Sequence, residues 1–397
     1  MTQNRRGFLK KSATLLATPL VYASDASFLI PKNQFNALGI GIIGTGSRGS
    51  GLLKILQGVE GVEVRGLCDV LPFRLEAASA VAPQAKTYVD YQKLLNDQSI
   101  NAVIISSPLN THAAIAMDAI DAGKHVYCEK TMAKGVDDTL GLVQKVKSAS
   151  QLVFQTGHQY HSSRLYSHAV DLIRNGKIGK IGSIHAQWNR NGNWRRTVPE
   201  PKYERQINWR MYREYSYGLL AELSSHQIDF TNWLLDAHPE KVTGFGDVSY
   251  WNDGRETYDN THVVYAYPDG IKATFTCLTS NAKDDYKISV KGDKGTLVLD
   301  YADAWFYPEG HYKKEYGEVD GVSGATSNWV AGKGIPLDYS HMDPTRQALV
   351  DFRDAILNGS KPLSNLVSGA KTAIAVDMGI RAMDENKTVI WENAYNV

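Results

Sequence analysis

Short apolar runs alternate with amphipathic stretches in the first part of the chain. The run at residues 38–43 is followed by others at 62–70, 87–89, 102–106, 125–128 and 152–155. Helix-like periodicity lies between them, at residues 75–81, 92–95, 111–122 and 136–148. Buried strands that alternate with helices predict a doubly wound parallel sheet covered by helices. We therefore predict an α/β fold whose first domain occupies residues 36–156.

The pattern of apolar and polar residues changes after residue 156. A helix-like stretch at 165–174 precedes longer alternating runs, which predict strands at 181–188, 262–267, 271–278, 287–290 and 295–299. With final helices at 346–357 and 369–383, these runs predict an α+β domain at residues 157–397 with a large open, mainly antiparallel sheet. An open sheet offers a surface for self-association, so we expect a homo-oligomer, either a dimer or a tetramer.

The first predicted strand ends in a glycine-rich turn, Gly44-Thr45-Gly46-Ser47-Arg48-Gly49, which leads into a predicted helix. The first glycine allows the turn, the second lets the backbone approach a pyrophosphate, and the third lets the helix pack closely on the strand. Amides at the start of the helix would face the anion. The pattern predicts a dinucleotide cofactor.

An acidic residue ends the second predicted strand at a suitable distance. Asp69 lies 25 residues after Gly44, where a carboxylate would bind the ribose hydroxyls of the cofactor. The same charge would repel the 2′-phosphate of NADP. Arg74 could have the opposite effect, since its guanidinium could neutralise the charge of such a phosphate or stack on adenine. We therefore expect NAD, with NADP as the weaker alternative.

The charge and cysteine content narrow the possible partners. A formal net charge of +1 over 397 residues leaves no basic footprint for nucleic acid, so no such partner is expected. Three cysteines, at positions 68, 128 and 277, are too few and too scattered for a disulfide framework or a metal cluster. His158 and His161 are three residues apart but lack a matching cysteine or carboxylate pattern, so no metal is predicted.

The N-terminus has the features of an export signal. Arg5-Arg6-Gly7-Phe8-Leu9-Lys10 precedes a modest apolar run at 13–21 and a stretch of small residues that ends near Ala23. The run is too short and too weakly apolar to span a membrane. Two consecutive arginines in this setting resemble a twin-arginine signal. We therefore interpret residues 1–35 as signal and linker, and expect a periplasmic or otherwise exported protein with no membrane span once the signal is removed.

Four motifs together make the sequence resemble a known family. They are GIIGTGSRG, Ser107-Pro108 followed by His112, AGKHVYCEK, and Glu222-x-x-x-His226-x-x-Asp229. This combination resembles the glucose-fructose oxidoreductase/inositol dehydrogenase (Gfo/Idh/MocA) family, over essentially everything after the linker. The resemblance implies a Rossmann domain that binds NAD, a C-terminal domain for substrate binding and oligomerisation, and a small-molecule carbohydrate substrate.

The chain departs from the family pattern in two motifs. The family has Glu-Lys-Pro where this chain has Glu129-Lys130-Thr131, and Asp-x-Gly-x-His where it has Glu222 and His226. Carried over residue by residue, the resemblance implies that Lys130 hydrogen-bonds the reacting hydroxyl and His226 serves as acid/base. Glu222 would orient them or bind substrate. A lysine whose pKa is lowered by burial and by a positive nicotinamide suits this proton transfer, and histidine titrates near neutral pH.

The remaining candidate residues fall into two groups. His158 and Tyr160 follow the last predicted strand of the first domain, and aromatic and arginine residues cluster between positions 188 and 212. Aromatic rings with a few polar groups suit the faces and hydroxyl rims of sugars. Substrate contacts are expected from His158, Tyr160, Trp194, Trp209, Arg210, Tyr212 and Asp229. Cofactor contacts are expected from Gly44, Thr45, Gly46, Ser47, Arg48, Gly49, Asp69, Arg74, Ser107, Pro108, Asn110, His112, Glu129 and Lys130.

These features predict an NAD(H)-dependent oxidoreductase acting on a secondary hydroxyl of a sugar or glycoside, with C3 as a candidate carbon. Because no free nicotinamide pool is expected outside the cytoplasm, the cofactor should be tightly bound. The alternative is an NAD-dependent glycoside hydrolase, in which C3 is oxidised transiently, the group at C1 is eliminated, water adds and the ketone is reduced back. A second alternative is a non-catalytic sugar-binding protein that retains the nucleotide fold.

Overall fold

The computed structural model describes residues 37–309, 334–337, 339 and 342–397. The predicted export signal lies outside these residues. No helix in the described ranges is both long enough and apolar enough to cross a membrane. All of the architecture below therefore concerns the chain from residue 37 onward.

The first sheet is parallel and has six strands in the order β3-β2-β1-β4-β5-β6. Its strands are β1 (Leu38–Ile43), β2 (Val62–Cys68), β3 (Lys86–Tyr88), β4 (Ala102–Ile105), β5 (His125–Cys128) and β6 (Phe154–Thr156). The connecting helices are α1 (Ser47–Leu56), α2 (Pro72–Val81), α3 (Tyr91–Leu95), α4 (His112–Asp121) and α5 (Val136–Ser148). Strand order reverses between β1 and β4, which opens a crevice at the carboxyl ends of these strands.

The second sheet is mainly antiparallel and has nine strands in the order β14-β13-β12-β11-β7-β10-β9-β8-β15. Only the central pair, β7 and β10, runs parallel. The strands are β7 (Ile181–Asn189), β8 (Lys241–Asp247), β9 (Asn260–Ala266), β10 (Lys272–Leu278), β11 (Tyr286–Gly292), β12 (Gly295–Leu299), β13 (Ala304–Pro308), β14 (Ile335–Pro336) and β15 (Val389–Ile390). The fold class predicted from the sequence is therefore confirmed.

Helices cover one face of the second sheet. They are α6 (Arg164–Arg174), α8 (Ser225–Leu235) and α10 (Leu366–Asp384), and a π-helical turn, Leu220–Ser224, leads directly into α8. Two further helices, the short α7 (Glu204–Ile207) and α9 (Pro344–Asn358), lie elsewhere in the fold. Apolar residues of α6, α8 and α10 share one core with the strands. The opposite face carries exposed side chains, including Phe245 and Val264.

The last two helices also complete the first sheet. Leu349 and Phe352 of α9 lie in the core beneath α1, α2 and the alternate residues of β1. Ala370 and Ala373 of α10 join the core on the other face, with α3, α4 and α5. Both faces of the parallel sheet are thus buried, in part by residues from the end of the chain.

Strand β8 was not predicted, and the reason lies in its glycines. Val242 is buried and Thr243 and Phe245 are exposed, but the next inward position is Gly244. A Cβ there would lie only 2.5 Å from Cγ1 of Val263 on the neighbouring strand. Packing therefore requires glycine at this inward position. Because glycine has no apolar side chain, the alternation of apolar and polar residues is not visible in the sequence. Strand β2 also ends earlier than predicted, at Cys68, so that Asp69 and Val70 lie beyond it.

Two glycines in α1 offer a matched test of the close packing between this helix and β1. A Cβ on Gly49 would lie 1.9 Å from the carbonyl oxygen of Gly44, whereas a Cβ on Gly51 meets nothing within 4 Å. We expect Gly49→Ala to destabilise the fold by about 1 to 3 kcal/mol, because backbone must move. Gly51→Ala should stabilise it by up to about 1 kcal/mol through helix propensity. Denaturant unfolding of both variants checks this, and equal stabilities would contradict it.

Candidate active site

The crevice at the carboxyl ends of β1, β4 and β5 forms two adjoining chambers. One, of about 410 Å³, is lined by Gly44, Gly46 and Asp69, and we call it the glycine chamber. The other, of about 750 Å³, is lined by Lys130 and His226, and we call it the lysine chamber. The chambers share wall residues, among them Ser47, Arg48, Ser106, Ser107, Arg196, Ile207, Trp209 and Arg210. A ligand that filled both would be long and bent around Ser47 and Arg48.

The glycine-rich turn is shaped for close approach to a ligand. Gly44 has φ +89°, and a Cβ there would lie 2.7 Å from the backbone of Ser106 and Ser107. Gly46 is the N-cap of α1 and provides no capping side chain. The first amides of a helix lack partners within it, so this helix start remains available to an anion.

Asp69 links this turn to the end of β2. Its carboxylate accepts hydrogen bonds from the amide of Thr45 at 2.8 Å, the hydroxyl of Thr45 at 3.2 Å and the amide of Leu71 at 2.9 Å. Arg74 lies beside the turn, and burial lowers its pKa. Asp69 and Arg74 both line the glycine chamber. Thr45 does not line either chamber, because its hydroxyl is turned toward Asp69.

The loop after β4 forms the opposite wall. Ser107, Pro108 and Asn110 line the glycine chamber, and His112 lines the lysine chamber. The two ring nitrogens of His112 each lie 2.9 Å from a carbonyl oxygen, of Thr131 and of Ser107. This buried ring therefore fixes the loop after β4 against the turn after β5.

Lys130 projects from that turn, which begins where β5 ends. Its Nζ donates hydrogen bonds to the carbonyl oxygens of Glu222 at 2.5 Å and Ala221 at 3.3 Å. Burial lowers its pKa to about 8, against the opposing effect of Glu222 and Glu129. Glu129 itself accepts a hydrogen bond from Nε of Arg48 at 2.6 Å. The peptide bond between Lys130 and Thr131 is cis.

Glu222 lies in the π-helical turn and is ionised. Its carboxylate accepts hydrogen bonds from Nε of Arg210 at 2.7 Å and from the hydroxyl of Ser216 at 2.9 Å. Burial alone would raise the pKa of Glu222, but the charges of Arg210 and Lys130 and these two hydrogen bonds lower it. Glu222 is thus a carboxylate that orients Arg210 in the wall of the lysine chamber.

His226 lies in the first turn of α8 and faces the same chamber. Its ring is surrounded by aromatic rings, with centres 5.3 Å away for Tyr160, 5.7 Å for Trp188 and 5.9 Å for His158. Burial and the nearby charge of Lys130 hold the pKa of His226 well below its ordinary value. The imidazole is therefore neutral, and its protonated form is disfavoured.

Three of the predicted substrate contacts form a layer behind His226. Asp229 is buried and accepts hydrogen bonds from Nε2 of His161 at 2.8 Å and from the hydroxyl of Thr372 at 3.2 Å. His158 is buried next to Asp229, and burial lowers its pKa to about 4. Tyr160 stacks on Tyr166 with ring centres 4.4 Å apart. None of the three predicted residues lines either chamber, so they support His226 from behind.

Some of the other predicted site residues line a chamber, and the rest pack outside it. Trp194, Trp209 and Arg210 line the lysine chamber, whereas Tyr212 donates its hydroxyl hydrogen to Glu204 at 2.9 Å outside it. Gly49 is a packing residue. Lining residues not predicted include Ser106, Gln159, Arg190, Arg196, Ile207 and Asn208. Most belong to residues 190–216, which we call the cover segment. The sequence signal that could have identified this segment is its polar and aromatic composition without helical or strand periodicity.

A metal site has no support within the described ranges. No group of three histidine, cysteine, aspartate or glutamate residues there could hold an ion. Cys68, Cys128 and Cys277 are buried free thiols.

Comparison with protein families gives a direct match to this architecture. Residues 38–158 match the NAD-binding Rossmann fold of an oxidoreductase family, and residues 170–390 match the C-terminal α/β domain of the same family. The chain belongs to the Gfo/Idh/MocA oxidoreductase family. The family resemblance inferred from the motifs is thereby confirmed.

Individual relatives within the family are distant. Inositol 2-dehydrogenase of Salmonella paratyphi B is 32% identical over 199 residues, 49% of this chain and 54% of that protein. 2,7-Anhydro-N-acetylneuraminate hydratase of Mediterraneibacter gnavus is 26% identical over 270 residues, 67% of this chain and 68% of that protein. The chain thus spans about half the length of the inositol dehydrogenase that it matches.

A solved structure agrees with the fold over most of the chain. Levoglucosan dehydrogenase, in complex with NADH and levoglucosan, superposes with a TM-score of 0.70. The match covers 89% of this chain and 99% of that one at 18% sequence identity. At this identity the likeness concerns the fold.

Proposed function

We propose that the protein oxidises a secondary hydroxyl of a sugar or glycoside with NAD as its resident cofactor, C3 being a candidate carbon. The observation that carries this proposal is the meeting of Lys130 and His226 in one chamber, directly next to a glycine-rich turn and an uncapped helix start. The neighbouring inositol and levoglucosan dehydrogenases support a polyhydroxylated ring as substrate.

The residues of the glycine chamber fit NAD. Gly44, Gly46 and the start of α1 would hold the pyrophosphate, since both glycines line this chamber and the first amides of α1 have no capping side chain. Asp69 is available to ribose hydroxyls and would repel the extra phosphate of NADP, so NAD is the proposed form. When bound, the nicotinamide would supply the acceptor for the hydride that leaves the carbinol carbon.

Lys130 is proposed to take the hydroxyl proton. Two of the three N–H bonds of its ammonium group are directed to the carbonyls of Ala221 and Glu222, which leaves one position for the substrate. With a pKa of about 8, a substantial fraction is neutral near physiological pH and can accept the proton. His226 is neutral at the same pH, so it can accept a hydrogen bond from the substrate, but its lowered pKa makes it the weaker base of the two. Glu222, as a carboxylate paired with Arg210, binds or orients and does not donate.

The cover segment supports tight binding of the cofactor. Arg196, Ile207 and Trp209 from this segment line both chambers. The segment also reaches the first domain, where the carbonyl of Tyr215 accepts a hydrogen bond from the amide of Asn110 at 3.1 Å. The ring of Tyr203 meets Phe73 of α2 with centres 5.6 Å apart. A cofactor beneath this segment would leave only when these contacts open, so we propose that it stays bound between turnovers.

Export is proposed on the sequence alone. Arg5 and Arg6 carry the twin-arginine interpretation, and a retained cofactor is what a folded, exported oxidoreductase would need. Replacing both arginines with lysine should leave the protein in the cytoplasm, as measured by cell fractionation. Unchanged export of that variant would refute the assignment.

The second candidate is the glycoside hydrolase that works by transient oxidation. The similarity to 2,7-anhydro-N-acetylneuraminate hydratase favours this candidate, because a hydratase among the relatives indicates that this kind of active site can support the addition of water. The same Lys130 and His226 would serve the oxidation step. A non-catalytic sugar-binding role is the third candidate.

A single-turnover experiment separates the three. Holoprotein with its own cofactor, identified by mass spectrometry after denaturation, is mixed with a panel of inositols, free sugars and glycosides while nicotinamide absorbance and products are followed. We expect NAD in the purified protein and a reduced nicotinamide that accumulates with a ketone product. Release of aglycone without net reduction would favour the hydrolase. Sugar binding without either would favour the non-catalytic role.

Lys130 makes a prediction about pH. Because its ammonium form cannot accept the hydroxyl proton, the oxidation rate should rise with pH and level off above about 8. Lys130→Arg keeps the charge but not the ability to lose a proton at these pH values. We expect this variant to lose about 10²- to 10⁴-fold in rate while still binding the cofactor. A wild-type pH profile retained in Lys130→Arg would contradict the assignment.

A further inference from the structure

Trp194 has an unusual backbone conformation for its residue type. Its φ is +66°, in the left-handed region that bulky side chains rarely adopt. The residue lines the lysine chamber, in the cover segment. Such an outlier persists only where the surroundings fix the backbone, and it is a reason to look for a function.

The surroundings of Trp194 do fix it, beginning with the residue before it. Nη2 of Arg255 donates hydrogen bonds to both the carbonyl oxygen and Oδ1 of Asn193, each at 2.9 Å. Oδ1 of Asn193 also accepts from the amide of Arg195 at 3.1 Å. A single guanidinium thus holds the backbone and the side chain of Asn193 at once.

The residues that follow Trp194 are also held. Oδ1 of Asn208 accepts a hydrogen bond from the backbone amide of Arg196 at 2.7 Å, and Nδ2 of Asn208 donates one to the carbonyl oxygen of Arg196 at 2.9 Å. Arg195 is paired with Glu204 and Asp253. With both neighbours fixed, the position of the Trp194 backbone does not depend on a bound ligand.

Arg255 itself is outside both chambers. Its side chain is only 3% exposed, and it is paired with Asp253 at 2.7 Å. The charge of Arg255 lowers the pKa of Asp253, so the pair is ionised. Burying a guanidinium is costly. The two further hydrogen bonds to Asn193 indicate that Arg255 does more than neutralise one carboxylate.

The indole of Trp194 stands in a wall made of similar groups. The guanidinium of Arg190 lies 5.9 Å from the Trp194 ring centre and 5.3 Å from that of Trp188. An aromatic ring in this wall offers a flat apolar surface to the chamber. The C–H face of a sugar ring has the complementary chemistry.

We propose that Arg255 is a positioning residue for sugar recognition: through Asn193 it holds Trp194 in the left-handed conformation, so that the indole is presented to the apolar face of the sugar. The proposal rests on the proposed function, since it assigns the specificity surface of that same chamber. It implies that Arg255 affects substrate binding and leaves the proton-transfer groups intact.

The kinetic test is a double-mutant cycle. Arg255→Lys keeps the charge beside Asp253 but lacks the guanidinium that bonds Asp253 and Asn193 together, and we expect about a tenfold rise in KM for the sugar with kcat changed less than twofold. Trp194→Gly should raise KM by a similar factor, since glycine tolerates this φ but has no ring. If Arg255 acts through Trp194, the double variant should be no worse than Trp194→Gly alone. Effects that multiply would overturn the proposal.

A matched control comes from a second arginine, Arg213 of the cover segment. Its side chain bonds to the carbonyl oxygen of Glu256 and to Asp384 and lies over Tyr258, without reaching Asn193. Arg213→Lys should leave KM unchanged. A rise equal to that of Arg255→Lys would show that any loosening of this region suffices, and would overturn the specific role.

An activity-independent measurement tests the positioning step itself. In holoprotein labelled with 5-fluorotryptophan, the ¹⁹F resonance of Trp194 is assigned from its loss in Trp194→Phe. We expect that resonance to shift or broaden in Arg255→Lys and to stay in place in Arg213→Lys. An unmoved resonance in Arg255→Lys overturns the proposal. Should wild-type protein oxidise no sugar, the proposed function fails, and this resonance alone still decides whether Arg255 holds Trp194.

Discussion

The hydrogen bonds from Lys130 to the carbonyls of Ala221 and Glu222 are the contact on which the site depends. They join the turn after β5, in the parallel sheet, to the π-helical turn that starts α8. A π-helical turn disturbs the regular pattern of backbone bonding and recurs at functional sites. Here two of its carbonyls bind the ammonium group, and the same short segment places Glu222 and His226 in the wall of one chamber.

The charges around Lys130 are arranged in pairs. Arg48 is paired with Glu129, and Arg210 with Glu222. The two acids raise the pKa of Lys130, but burial and the charges of the two arginines lower it by more. His226 belongs to the same arrangement, since its own burial and the nearby lysine charge keep the imidazole neutral. Lys130 is thus the stronger base of the two.

Sequence reasoning reached the parts of the site whose residues are close along the chain. The glycine turn, Asp69 and Lys130 follow directly from strands, because parallel strands bring their carboxyl ends to one edge. The resemblance to the family motif predicted Glu222 and His226 together. The placement of His158, Tyr160 and Asp229 behind His226 was beyond reach, since a motif does not say which side of a helix faces a cavity. The path of residues 190–216 over both chambers depends on tertiary contacts, which the composition of the segment does not specify.

The return of α9 and α10 to the parallel sheet has a consequence for how the chain is made. The nucleotide-binding half begins at Leu38, yet its two cores are completed only by residues such as Leu349, Phe352 and Ala373. During synthesis these strands emerge several hundred residues before the helices that cover them, which gives the fold many contacts of large sequence separation. The first half must therefore wait, with apolar surface uncovered, until α9 and α10 have been synthesised. A pocket that matures so late ties the loading of nucleotide to the synthesis of these two helices.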